Sequence, residues 1–245
     1  MEVAVSGDRG CVLSARLAPA TYLFAVAHGF GTIDGEPPAR VALGRLRGEF
    51  ERRSRNDRLR RVQLRPKAVT GALIGALARV NGDLYSRSAS HDDYVTSGCS
   101  VTAALVIDAR VYLAHVGSTA AYLSRDGYVV GLTKDDAFDA DGLSVLTRAV
   151  GIEPHLEVAV CSFALTGGDA LVLSGRRTRT SDDRRRLSEQ LVWGPGHAGK
   201  DDLLIVRYDA EVEPASSAAC APPLWRTVLT TLAATAAFYA ALCLQ

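Results

Sequence analysis

An excess of one charge, paired cysteines, a leader segment and an internal repeat are all missing from this chain of 245 residues. Its 28 lysines and arginines nearly balance 27 aspartates and glutamates, leaving a net charge of +1. No global field therefore draws it to nucleic acid or to a strongly anionic partner. The five cysteines, Cys11, Cys99, Cys161, Cys220 and Cys243, are scattered, odd in number and form no C-x-x-C pair. That pattern argues against a disulfide framework and a cysteine-based zinc site, and fits a reducing compartment. No basic-then-apolar leader opens the sequence, so the N-terminal part is expected in the cytoplasm. His91, His155 and His197 are isolated and lack metal-ligand spacing. No G-x-x-x-x-G-K loop is present for a nucleotide phosphate, and Gly167-Gly168-Asp169 reads as a turn before a strand.

What is present is concentrated between Ser97 and Thr133, S-G-C-S-V-T-A-A-L-V-I-D-A-R-V-Y-L-A-H-V-G-S-T-A-A-Y-L-S-R-D-G-Y-V-V-G-L-T. Short apolar runs rich in Val, Leu, Ala and Tyr are broken by Asp108-Ala109-Arg110 and Arg125-Asp126-Gly127, which are tight-turn signals. The pattern predicts an antiparallel meander with strands over 101–107, 111–116, 120–124 and 128–132. Residues 22–27 form a continuous apolar run ending in His28-Gly29-Phe30-Gly31, a buried strand entering a Gly-rich turn. Helices are expected over 39–53, opened by Pro37-Pro38, and over 66–87, where Val69, Leu73, Ile74, Leu77, Val80 and Leu84 recur near helical spacing. Beyond the meander the pattern predicts a short helix over 141–150 closed by Gly151, strands over 156–163 and 170–173, a charged helix over 181–191, and a last strand over 203–208. Strand, two helices, meander, strands, helix and strand make an α+β order in which helices cover antiparallel sheets. Arginines crowd the stretch from Arg45 to Lys67. With Glu49, Glu51 and Asp57 among them they read as a solvated helix face and loop, and contact with anionic lipid is the alternative.

The C-terminal part has a different character. Residues 210–221, A-E-V-E-P-A-S-S-A-A-C-A, read as a linker, and residues 228–244 carry no charge. Pro222-Pro223 can open a helix there, with Leu224, Trp225 and Arg226 at its entry. About 20 helical residues from Leu224 span roughly 30 Å, near the thickness of a bilayer core. Trp225 and Arg226 suit a cytoplasmic interface. The expectation is a domain over 1–209, a linker over 210–223 and a tail anchor over 224–245. A buried Ala-rich helix is the alternative, since Thr230, Thr231 and Thr235 dilute the apolar run.

The central block resembles the metal-dependent Ser/Thr protein phosphatases of type 2C (PPM). That family carries a G-x-T-A core strand, an L-Y-x-A-x-V-G-D-S-R-A-Y hairpin, an R-D-G turn and L-T. The resemblance covers roughly residues 22–208 and implies an αββα sandwich, two antiparallel sheets flanked by helices, here with a C-terminal transmembrane helix added. In the family a V-x-D-G-x-G-G motif supplies an Asp that bridges two Mg²⁺ or Mn²⁺ ions, and the next Gly offers its carbonyl. Such a metal pair stabilises both nucleophile and phosphoryl charge, and hard cations need oxygen ligands. The equivalent segment here is Val26-Ala27-His28-Gly29-Phe30-Gly31, so His28 stands where the bridging Asp belongs. An imidazole offers one neutral nitrogen and no second oxygen. The hairpin's V-G-D-S-R becomes Val116-Gly117-Ser118-Thr119-Ala120, with Ser118 in place of an Asp. The S-D-G element becomes Ser174-Gly175-Arg176, and a guanidinium has only donors to offer a cation. The closing D-N-I-T-V persists as Asp201-Asp202-Leu203-Leu204-Ile205, leaving Asp201 as the one retained ligand. The upstream phosphate-holding Arg has no counterpart at the right spacing, Arg9 and Arg16 being the nearest. Ser118 and His115 share a hairpin but not the geometry of a dyad.

These substitutions point to a catalytically impaired, pseudophosphatase-like binding module for phosphoproteins or kinases, tethered to a membrane with its domain in the cytoplasm. No metal cofactor and no nucleic acid are expected. His28 and Arg176 form a candidate anion site. The alternative is an active Mn²⁺- or Mg²⁺-dependent protein Ser/Thr phosphatase with displaced ligands, drawing on Asp34, on Asp135, Asp136, Asp139 or Asp141 of an acidic loop, or on Asp182 or Asp183.

Overall fold

Strand pairing divides this chain into two sheets, and side-chain alternation along their strands builds an apolar layer between them. The computed structural model describes residues 1–6, 11–55, 65–89, 97–140, 143–175, 191 and 203–209. They belong to the compact unit Met1–Ala210.

The first sheet has the order β10-β5-β4-β3-β2 and the second β1-β12-β11-β6-β7, each pair antiparallel. In the first sheet lie β2 (Val12–Ala18), β3 (Thr21–Phe30), β4 (Gly98–Ile107), β5 (Arg110–Val116) and β10 (Ala159–Ala164). The second holds β1 (Glu2–Ser6), β6 (Ala120–Arg125), β7 (Tyr128–Gly131), β11 (Asp169–Ser174) and β12 (Leu203–Tyr208). A separate hairpin joins β8 (Ala137–Ala140) to β9 (Leu143–Leu146). Phe24, Val26, Ala104, Val106, Val111 and Leu113 of the first sheet meet Ala121, Leu171, Leu173, Leu204 and Val206 of the second in one buried cluster. The strands around Leu23 and Val172 are thus neighbours, as the family resemblance requires.

The opposite face of the first sheet, with Leu23, Ala25, Ala27, Val101, Ala103 and Leu105, is covered by two helices. Helix α1 (Pro38–Arg55) begins on a proline, whose missing N–H costs nothing in the first turn. It buries Ala39, Ala42, Leu43, Leu46 and Phe50, one stripe at helical spacing. Arg52, Arg53 and Arg55 in its last turn suit the negative end of the helix dipole. Helix α2 (Pro66–Ala89) repeats the device with Pro66 and buries Val69, Leu73, Leu77, Val80 and Leu84. The outer face of the second sheet gathers Tyr122, Val172 and Ile205, against which Ala4 and Leu191 pack.

Three expectations are corrected. The single meander is two hairpins, β4–β5 and β6–β7, placed in different sheets. Gly117, at φ 97°, turns the chain out of the first sheet between them, and alternation alone carries no information about which sheet a strand joins. The helix expected over 141–150 is absent. Residues 143–146 pair with 137–140 instead, Ala140 opposite Leu143. The strand expected over 156–163 begins later, at Ala159, because Leu156 and Val158 pack against the helix-side core. Most of the helix expected over 181–191 and all of the linker and tail over 210–245 lie outside the described residues. Among the described residues no helix is long and apolar enough to cross a membrane.

Candidate functional site

At one end of the sandwich the layer between the sheets turns from apolar to polar. On β3 Phe24 and Val26 face the second sheet, so His28 follows them on the same face by alternation. Its cross-strand partner is Ser100 of β4. Next along that face come Thr102 and His115, also paired across β4 and β5. Val116 and Gly117 end β5 at the same place, and Ala120 of β6, Ser174 of β11 and Leu203 of β12 pair with one another in the second sheet. Every strand end on which the family resemblance puts a metal ligand therefore converges at this end. Arg176 and Asp201, each two residues beyond a described strand end, lie outside the described residues, as do Arg9, Asp182 and Asp183.

A cleft of about 830 Å³ opens here. Its walls include His28, Gly29 and Phe30 from β3, Ser118 from the turn after β5, and residues 146–149 and 152–157. Gly29 carries a packing constraint, since a Cβ there would lie 3.0 Å from the Ala39 backbone nitrogen at the start of α1. Gly117 is more constrained: its φ is positive, and a Cβ would sit 2.2 Å from Ser100 Oγ and 2.8 Å from Ser100 Cα. This close approach lets Ser118 donate its N–H to Ser100 Oγ (2.9 Å), with the two hydroxyls 3.3 Å apart.

His115 is committed elsewhere. Its Nε2 faces the Lys134 carbonyl at 2.9 Å, which only accepts, so the proton sits on Nε2. Its Nδ1 meets Thr102 Oγ1 at 2.9 Å, and Thr102 in turn meets Thr119 Oγ1 at 2.7 Å. The ring belongs to a buried, satisfied network and makes no dyad with Ser118.

The charge in the cleft comes from a residue the sequence reading passed over. Arg148 donates from Nη2 to Asp136 Oδ1 (2.5 Å) and from Nη1 to Glu157 Oε2 (2.7 Å). Asp136 is buried, and its second oxygen accepts the Gly117 N–H at 2.9 Å. Burial pushes its carboxyl up, but the hydrogen bonds from Arg148 and Gly117 outweigh that and hold it below the usual carboxylate range. Arg148 is raised by the same pairing. The far cleft wall is fixed from α2 by Asn81, buried among apolar neighbours, whose Nδ2 donates to the Glu153 carbonyl (2.8 Å) while Oδ1 accepts from Gly151 N–H (2.8 Å). A buried Asn aligned with a loop 70 residues away leaves no local signature, and Arg148 reads in sequence as one arginine among many.

Of the other candidate carboxylates, Asp141 lies outside the described residues, as does the side chain of Asp139. Asp34 pairs with Arg87 of α2 and is not a cleft residue. Arg16 lies across from Tyr22, six residues along β3 from His28, or about 20 Å at strand rise. Its guanidinium stacks over the Tyr22 ring instead. Among the described residues no three His, Cys, Asp or Glu side chains converge as a metal-binding group. The described cleft carboxylates are Glu153, outside any cluster, and Glu157, held by Arg148, so they do not fit the pair of hard cations that the resemblance implies.

The protein phosphatase 2C family model matches residues 20–140. This stretch belongs to the protein phosphatase 2C family. Solved structures with the same fold are bacterial Ser/Thr phosphatases of this type. The Mycobacterium tuberculosis serine/threonine phosphatase PstP/Ppp is 20% identical and aligns with a TM-score of 0.60 over 85% of this chain and 98% of its own. The S. agalactiae serine/threonine phosphatase is 16% identical, with a TM-score of 0.62 over 83% and 97%. PppA of Pseudomonas aeruginosa, described as a regulatory component of T6SS, is 19% identical, with a TM-score of 0.58 over 84% and 96%. At these identities the likeness is one of fold. The search of curated proteins gave no match. At this end the scaffold carries an imidazole and a buttressed guanidinium.

Proposed function

We propose that this 2C-type domain has lost phosphatase chemistry and works by binding, as a membrane-tethered pseudophosphatase that holds phosphoproteins or kinases through its cleft. The observation that carries this reading is His28 at the end of β3, on the strand position where the family's bridging Asp is expected. In place of metal ions the cleft presents Arg148, with His28 and His155 on its walls. The Arg148 guanidinium is held without a metal by buried Asp136 at Nη2, and a phosphate, which suits its planar fork, would take the place of the exposed Glu157 at Nη1. Phe30, Leu146, Ile152 and Leu156 give the same cleft an apolar side for a peptide. Arg176 joins this set if its sequence position beyond β11 brings it to the cleft. Residues 224–245 supply the tether, with the domain on the cytoplasmic side.

The test is calorimetric titration of Mn²⁺ into the full chain and its Asp201→Ala variant, with p-nitrophenyl phosphate hydrolysis followed in parallel. No binding and no turnover in either protein is the expected result. Tight binding of two ions with turnover, both lost in the variant, would instead establish an active Mn²⁺-dependent phosphatase with displaced ligands. A phosphothreonine peptide titrated in EDTA tests the binding role, and Asp136→Asn/Arg148→Gln, which neutralises the pair together, should weaken it at least tenfold. Retention of the chain in membranes after alkaline carbonate extraction tests the tether.

A further inference from the structure

The end of the domain opposite the cleft has a charge of its own. Helix α1 starts beside Gly29, at the cleft, and finishes where Ser54 Oγ donates to the Leu17 carbonyl, near the β2–β3 turn. Helix α2 runs back, so that Asn81 and Leu84 reach the cleft wall at Gly151 while Pro66 lies at the far end. Arg52, Arg53, Arg55, Arg65 and Lys67 therefore sit together at the end away from the cleft. Arg52 and Arg53 share a single carboxylate, Glu49, with Arg79. Arg65 and Lys67 have no ion-pair partner among the described residues. Exposed pairs of this kind are weak and do not cancel the excess.

Strand β12 leaves the sandwich at this same end. Its last residue, Tyr208, pairs with Asp169 and accepts from Gly168 N–H. The Leu165 N–H there bonds to the Ala109 carbonyl of the β4–β5 turn, and Asp108 N–H bonds to Ala20 of the β2–β3 turn. The carboxylates Asp126 and Asp169 at this end belong to the second sheet, and Asp169 is held by Arg125. Asp108 lies in the β4–β5 turn, which the Ile107–Arg110 pair closes. The positive excess is thus confined to the corner where the helices join.

We propose that this corner docks on the anionic face of a lipid leaflet, so that the chain leaving β12 meets the membrane beside it and the cleft points away into solution. The orientation rests on the tether of the preceding section, whereas the docking does not. Each basic residue near such a surface contributes roughly fivefold in affinity at low salt, and the contribution fades as the Debye length shrinks.

The full chain is floated with vesicles of phosphatidylcholine alone or with added phosphatidylglycerol, and amide hydrogen exchange is read over residues 48–70. Exchange there should slow on the anionic vesicles only and recover at high salt. The Arg55→Glu/Arg65→Glu/Lys67→Glu variant should abolish the effect, three reversals removing roughly a hundredfold or more. Arg55→Lys/Arg65→Lys, which keeps the charge, should preserve it. Flotation with both vesicles but equal exchange on each would overturn the docking and leave the tether standing. Flotation with anionic vesicles alone, lost in salt or in the charge-reversed variant, would uphold the docking and overturn the tether. No flotation with either would overturn both.

Discussion

His28 and Gly117 show how much a single position determines at this cleft. An imidazole at the end of β3 changes what the site can hold, while Gly117 changes nothing chemically and fixes where everything else sits. Gly117→Ala should cost about 3 kcal/mol or more, because the residue combines a positive φ with a Cβ driven into the Ser100 backbone. The urea midpoint of the variant checks this. Asp136 gives a second test with a defined sign. Its carboxyl titrates below the usual range despite burial, through Arg148 and the Gly117 N–H. The stability this contributes is complete above the unfolded carboxylate value of about 3.9 and is lost as pH falls through the lower folded value. Asp136→Asn should therefore be less stable than the parent at neutral pH by about 2 kcal/mol, with the gap closing in acid below that range. Urea unfolding of both proteins as a function of pH measures it, and a gap that stayed constant into strong acid would contradict the assignment.

Elements, not single residues, decided what was legible in the sequence. Strands β3, β4, β5, β6, β7 and β12 announced themselves because their apolar runs end in turn signals, and Asp126-Gly127 occupies the position between Arg125 and Tyr128 that a tight hairpin favours. Helices α1 and α2 were visible for the same kind of reason, as apolar stripes opened by prolines. The division of the hairpins between two sheets was not visible, because a strand with both faces buried, such as β4, reads alike in either sheet. Nor was the β8–β9 hairpin, where Leu143, Val145, Leu146 and Val150 fit a helical stripe as readily as a strand pair. At the site, His28 and Ser118 stood out only against a family pattern. Arg148 with Asp136, and Asn81 with the 151–154 loop, are contacts between distant segments and leave no spacing to read. Asn81→Ala tests whether that loop depends on α2. Removing a buried side chain that makes hydrogen bonds to Gly151, Glu153 and Pro154 should cost about 3 kcal/mol. It should also speed amide exchange across residues 148–157 more than across β4, as a local loss of the cleft wall requires.

Across the whole molecule, the scaffold of two sheets and a helix layer is independent of what the cleft can bind. Its cohesion comes from two apolar layers, one between the sheets and one under the helices, and neither includes a described cleft carboxylate. A fold held by these two layers does not depend on which side chain ends β3, where His28 stands. Cys99 reports on that cohesion. It lies fully buried under the helix layer, and burial pushes its thiol up to about 12. Neutral and inaccessible, it cannot react with a thiol reagent in the native state, whereas Cys161 on the edge strand β10 is exposed. Cys161 should therefore label at once and Cys99 only when the helix layer separates from the first sheet. With the other cysteines replaced by serine, the rate of Cys99 labelling should rise as the global stability is lowered by urea and should be unchanged by Glu157→Gln at the cleft rim. Labelling of Cys99 faster than global unfolding permits would show that α1 and α2 open on their own, and that the helix layer is a separate unit resting on the sandwich.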